Sequence, residues 1–213
     1  MSASPSDPRA PDADRTIATP PPRPRLLAFA GSLRQASYNR RLIPILAEGA
    51  RAAGADVELI DLRDYSLPVY DGDLEAAGMP DNVHRLQALM AGCDGLLIST
   101  PEYNGSMPAL VKNTLDWMSR ATADGRSGTL LFQDKMAGIV SASPGPLGGI
   151  RSLLVLRDAL SKLGLLVVPQ QVAVGAAAER LPETGVLTDE RLRGAVLGVG
   201  AAVVRHLCKG VAA

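Results

Sequence analysis

LLAFAGSLRQASYNRRLIPILAEGARAAG, residues 26–54, decides the fold. Leu26 to Ala30 is an uninterrupted apolar run ending at Gly31, the profile of a strand buried on both faces. From Asn39 to Ala53 the period changes: Leu42, Ile45 and Leu46 share one helical face, and Gly54 follows as a stop. Pro44 falls inside that stretch and predicts a kink or a tight first turn. Between strand and helix lies a loop of small and polar residues, Gly31 to Arg40. Strand, loop and helix in this order open a βαβ unit.

The same grammar repeats along the chain. Strands are predicted at Val57–Leu62, Gly95–Thr100, Met136–Ala142 and Leu165–Val174, the last interrupted at Pro169. Helices are predicted at Asn82–Met90, Met107–Ser119, Gly149–Leu163 and Thr188–Leu207. Five apolar strands separated by helices imply an α/β fold, a doubly wound five-stranded parallel sheet with helices on both faces. The apolar run Gly194 to Val204 is too short to span a bilayer, so no membrane association is expected. Its Gly194-x-x-x-Gly198 spacing reads as close helix packing.

Composition narrows the function. Lys plus Arg and Asp plus Glu both number 22, so the chain has no basic excess for displacing counterions, and a nucleic-acid partner is not expected. Cys93 and Cys208 lie far apart, as do His84 and His206, which argues against a disulfide scaffold and a metal site. Met1 to Pro24 holds seven of the sixteen prolines and almost nothing to bury, so it reads as a disordered tail preceding one domain, residues 25–213. That tail has no apolar core of the kind a secretory signal needs.

In an open α/β sheet, ligands bind beyond the carboxyl ends of the strands. The loop after the first strand offers the Ser32 and Ser37 hydroxyls, the Asn39 amide and the Arg34 guanidinium at a helix start, a fitting cage for a phosphate. It carries neither G-x-G-x-x-G nor a nucleoside-triphosphatase loop, and read locally it is equally a capped helix with Ser37 or Asn39 as N-cap. After the third strand, Thr100 to Pro108 is stiffened by two prolines and carries Tyr103, which suits a flat hydrogen-bonding heterocycle. Taken alone it is also a well-made strand-to-helix turn. After the fourth, Ser141 to Gly149 has little side-chain bulk and reads either as a surface lying flat against a ring or as a mobile connector.

The three loops together resemble the NADPH-dependent FMN reductase family of flavodoxin-like proteins, which includes quinone, chromate and azo-dye reductases. The likeness rests on GSLRQASYNR at 31–40, LPVYDGDLE at 67–75, GLLISTPEYNGSMPALVKNTLDWMSR at 95–120 and SASPGPLGG at 141–149. It implies that Ser32, Arg34, Ser37 and Asn39 hold the FMN phosphate. Pro101, Glu102, Tyr103, Asn104 and Gly105 would hold the isoalloxazine and ribityl parts, and Ser141, Ser143, Gly145, Gly148 and Gly149 the other side of the ring. It further implies a cytoplasmic homodimer or homotetramer. NADPH or NADH would donate hydride to FMN N5, and a small-molecule electron acceptor would follow in ping-pong order, with no catalytic acid or base. A flavodoxin-type electron carrier is the competing reading. Those proteins tend to be strongly acidic, whereas this chain is neutral and places Arg34 in the phosphate loop.

Other residues read more plainly. Asp71-Gly72-Asp73 is a turn rather than a metal site, and Lys112 with Asp116 forms a one-turn ion pair. His84 beside Arg85 reads as a solvated surface histidine, and Cys93 as an inert small hydrophobe. Arg120 and Arg126 read as solvated, with the 2′-phosphate of NADPH as the other candidate partner. Trp117 is assigned to the core or to a subunit interface.

Overall fold

The computed structural model describes residues 23–210, so the proline-rich stretch lies largely outside the described residues. Five parallel strands form one sheet: β1 (Arg25–Ala30), β2 (Asp56–Ile60), β3 (Gly95–Thr100), β4 (Met136–Ala142) and β5 (Leu166–Val174). Their spatial order is β2-β1-β3-β4-β5, so the connection direction reverses between β1 and β3. Among the described residues the helices are α1 (Tyr38–Ala52), α2 (Gly72–Ala77), α3 (Asp81–Ala91), α4 (Ala109–Met118), α5 (Ile150–Lys162), α6 (Ala177–Arg180) and α7 (Glu190–Gly210). The doubly wound arrangement follows from burial. β1, β3 and β4 are apolar on both faces and are buried almost throughout, so each face needs a helical layer. Leu42, Ile45 and Leu46 of α1 join Val196, Val199 and Val203 of α7 over one face; Leu86, Leu115, Leu153 and Leu156 cover the other. Trp117 is fully buried and so belongs to the core.

Several element ends moved for local chemical reasons. The second strand stops at Ile60 because the Asp61 carboxylate accepts the Arg63 N–H at 3.1 Å and starts a 3₁₀ turn, Leu62–Tyr65. Pro108 caps α4 from outside the helix, which begins at Ala109. Asp71 caps a short helix missed in the sequence, its side chain accepting the Asp73 N–H at 2.8 Å. α1 continues through Pro44. Pro169 does interrupt the last strand: the β4–β5 register slips between Ala137 and Ile139. Arg157 fills that bulge, donating to the Val167 carbonyl at 3.1 Å and the Val168 carbonyl at 2.9 Å.

Two sequence expectations fail here. Gly194 and Gly198 face open space, and the close approach of α1 to α7 is made by Gly49 and Gly200. A Cβ on Gly49 would stand 2.1 Å from the Leu197 carbonyl oxygen, so that contact admits only glycine. A repeat of small residues shows that a helix has a smooth stripe; which stripe is covered depends on the neighbour. His84 is half-buried rather than solvated, and its Nδ1 is enclosed without a hydrogen-bond partner, because the 122–126 hairpin packs beside α3. The Lys112–Asp116 pair forms, with Nζ 2.7 Å from Oδ2.

Candidate active site

The carboxyl ends of β1, β3 and β4 bring three loops around one small pocket of about 70 Å³. Of the sequence-predicted residues, Ser32, Arg34, Ser37, Asn39, Pro101, Glu102, Tyr103 and Ser143 line it. Tyr38, Ala142 and Pro144 line it too and were missed; for Tyr38 the available signal was an aromatic set between two cage residues in a chain of only four tyrosines.

The first loop is built to keep donors available. Ser37 is the N-cap of α1, accepting the Asn39 N–H at 3.2 Å, and Ser32 accepts the Arg34 N–H at 3.4 Å. Each hydroxyl thus retains its own proton for an incoming acceptor. The first turn of α1 holds no acidic residue, so nothing offsets the positive end of the helix. Three arginines lie close by, and two are committed. Arg40 Nη1 stands 2.9 Å from Asp61 Oδ2, an ion contact without hydrogen-bond alignment. Arg41 donates to the Leu181 carbonyl at 3.3 Å and lies over the Tyr38 ring. The Arg34 side chain has no hydrogen bond or ion pair among the described residues and is exposed at the rim. The cradle therefore offers a free guanidinium, two hydroxyls and a helix start, a donor set that fits a phosphate monoester such as that of FMN.

Asn39, which lines the pocket, also ties the fold together. It is buried, with Oδ1 accepting from Ser99 Oγ at 2.9 Å and from the Ala142 N–H at 2.9 Å, while Nδ2 donates to the Ala142 carbonyl at 2.9 Å. The amide staples the start of α1 to the ends of β3 and β4.

The loop after β3 turns tightly. Asn104 at φ 53° and Gly105 at φ 76° sit between Tyr103 and Ser106, whose backbones exchange hydrogen bonds of 3.0 and 3.1 Å. Two consecutive positive φ angles explain the Asn-Gly pair. Tyr103 projects 48% exposed, while the Glu102 carboxylate turns inward to the start of α5. Arg151 donates its backbone N–H to Glu102 Oε2 at 3.0 Å and pairs its guanidinium with Oε1.

The loop after β4 is stitched down, which removes the mobile-connector alternative. Ser143 N–H bonds the Val174 carbonyl at 3.1 Å, and Ala177 N–H and Ala176 N–H reach Ser143 and Gly145 carbonyls at 3.1 and 3.2 Å. Ser141 is buried and donates to the Gly148 carbonyl at 2.8 Å. Gly148, at φ 62°, passes so close to the next strand that a Cβ would lie 2.6 Å from the Gly175 nitrogen. Ser141, Gly145, Gly148 and Gly149 thus shape the wall without lining the pocket, as do Asn104 and Gly105 at the turn.

Arg120 and Arg126 are not free cations. Arg120 Nε is 2.9 Å from Glu75 Oε2 and its guanidinium stacks on Tyr70; Arg126 pairs with Asp124 at 2.7 Å.

The model of the NADPH-dependent FMN reductase family matches residues 24–179 of this chain. The chain belongs to that family. It is 34% identical over 170 residues to an NAD(P)H-dependent FMN reductase of Pseudomonas aeruginosa, covering 79% of this chain and 87% of the relative. It is 30% identical over 172 residues to a quinone reductase of Escherichia coli, covering 78% of this chain and 86% of the relative. Among solved structures it is similar to FerB, a flavoenzyme NAD(P)H:(acceptor) oxidoreductase of Paracoccus denitrificans, at 29% identity and TM-score 0.70, covering 86% of this chain and 98% of the other. An azoreductase of Bacillus anthracis shares the fold at 16% identity and TM-score 0.57, with 86% and 99% covered. This FMN reductase family member is thus an oxidoreductase with FMN and NAD(P)H as its cofactors. Its flavodoxin-like sheet reverses direction at the β1/β3 point, where folds of this order hold FMN.

Proposed function

We propose that this reductase takes hydride from NADPH or NADH and delivers it to a small acceptor, a quinone first, with chromate, azo compounds and free flavin as the wider class. When bound, FMN would supply the redox centre through which the two substrates exchange hydride in ping-pong order. The observation that carries the reading is the cradle at the start of α1, where Arg34 is uncommitted and the Ser32 and Ser37 hydroxyls keep their protons.

The chain's own work is positional. Ser32, Arg34, Ser37 and the α1 start anchor the phosphate, with Asn39 holding that cradle against the β4 loop. Pro101 to Gly105 offers backbone donors and the Tyr103 ring along one side, and the glycines from 145 to 149 keep the other side flat. No side chain is assigned as acid or base.

The pocket is small and open to solvent, so a tricyclic ring would lie partly across its mouth. Tyr103 of the pocket lining is 48% exposed, and Leu147 and Leu154 are each 56% exposed. Large apolar side chains left in solvent suit coverage by a second copy, which supports a homodimer or homotetramer. The free thiols Cys93 and Cys208 suit the reducing cytoplasm, and among the described residues no helix is long and apolar enough to cross a membrane.

The test is spectroscopic. The purified protein, alone or after FMN addition, should be yellow and should bleach in a two-electron step when NADPH is added without oxygen. Benzoquinone should then restore the colour. A colourless protein that neither binds FMN nor oxidises NADPH would sink the proposal.

A further inference from the structure

One ion pair at the site is used by none of the steps above. The Glu102 side chain is 8% exposed, yet it carries a carboxylate; Arg151, its partner, is 58% exposed. A buried charge is stable only when balanced and hydrogen-bonded. Arg151 does both at once, through its guanidinium on Oε1 and its backbone N–H on Oε2. The N-cap of α5 is Gly149, which has no side chain to satisfy the first turn, so Glu102 caps that helix from 49 positions upstream. Gly149 also lies close to both loops: a Cβ there would meet Ser141 at 3.1 Å and the Glu102 Cβ at 3.6 Å. Beyond the strand ends that Asn39 ties together, the Glu102–Arg151 pair therefore links the loop after β3 to the start of α5, where the loop after β4 ends.

We propose that Arg151 is a positioning residue, which by balancing Glu102 at the start of α5 holds the 101–106 loop in register with the 141–149 loop and sets the shape and charge of the wall facing the flavin ring. The inference rests on the flavin reading of the site for its effect on the cofactor, and on the ion pair alone for its effect on the loop. Without the guanidinium, a buried carboxylate is left unbalanced beside the ring. Its charge disfavours the anionic reduced flavin, and the loop must open to hydrate it. Gln at 102 removes that charge while its amide oxygen still accepts the Arg151 N–H.

The experiment uses the full chain with Arg151→Met, Glu102→Gln and the double variant. Two readouts are taken: amide exchange at Tyr103 and Ser106 without cofactor, and the affinity and midpoint potential of bound FMN. Arg151→Met should speed the exchange and weaken FMN about tenfold each, the scale of coupling within one network, and move the potential to more negative values. The double variant should return both to within about threefold of wild type, since the second change removes the charge the first left exposed. A purely structural role for Arg151 predicts the opposite, a double variant no better than the single. That result, or unchanged exchange and affinity in Arg151→Met, overturns the proposal. Wild type that fails to bind FMN defeats the flavin reading alone, and the exchange data still decide the clamp.

Discussion

The loops after β1 and β4 flank the same pocket and are built on opposite plans. In the first, the backbone is lightly tied, Leu33 to Ala36 are exposed, and Arg34 ends in no partner among the described residues. In the second, nearly every polar group is spent inward: Ser141 on Gly148, Ser143 on Gly145 and Val174, and the Gly145 carbonyl on Ala176. A surface that must grip a charged ligand keeps its donors uncommitted, because a donor already bonded gains little by exchanging partners. A surface that must stay flat against a ring commits them, because any free polar group would need water there. Asn39 is where the two plans meet, since it belongs to the first loop and bonds the second.

The contrast can be broken most forcefully at Gly148. Gly148→Val puts a β-branched side chain at φ 62° and against backbone 2.6 Å away, so stability should fall by about 3 kcal/mol or more, with FMN binding lost alongside. A chemical melt of the variant measures it, and a wild-type midpoint would show that the wall is soft. Asn39→Ala should come next. It leaves the Ser99 hydroxyl and both polar groups of Ala142 without their partner, at about 2–3 kcal/mol. Because it separates both loops, affinity for riboflavin should fall together with affinity for FMN; loss confined to FMN would return Asn39 to the role of phosphate ligand.

Arg34→Ala sharpens the other side. FMN binding should weaken by about 1.5–3 kcal/mol, the scale of a charged hydrogen bond, while riboflavin binding and the melting temperature stay put. Unchanged FMN affinity would remove Arg34 from the cradle. The smallest effect belongs to Asp61, which holds Arg40 beside the first loop. The Arg63 hydrogen bond, aided by Arg40, lowers its carboxyl to about 2. Its folded value is below the ordinary carboxylate value of about 3.9, so its stabilisation is complete above that value and is lost as pH falls toward 2. Asp61→Asn should flatten the acid limb of a melting-temperature profile in that window and leave the neutral region nearly level.

Much of the candidate site's framework was legible in the residues. Buried strands show as unbroken apolar runs, and the loops that follow them stand out by composition, so their convergence followed from the fold class. The fate of individual side chains was not legible. Glu102 and Tyr103 are neighbours in one motif, yet one turns in to α5 and the other projects into solvent. Arg34, Arg40 and Arg41 look alike in sequence, and only their distant partners distinguish them.

Local sequence by itself determined the α/β alternation, the five strands and the three loops that follow β1, β3 and β4, because burial periodicity and turn chemistry act within a few residues. Tertiary structure alone decided that Asn39 is a staple, that Gly49 and Gly200 rather than Gly194 and Gly198 admit a neighbouring helix, and that Glu102 caps α5. Each of those outcomes depends on a partner far away along the chain, and a hydrogen bond or a steric contact exists only once the fold has brought that partner near.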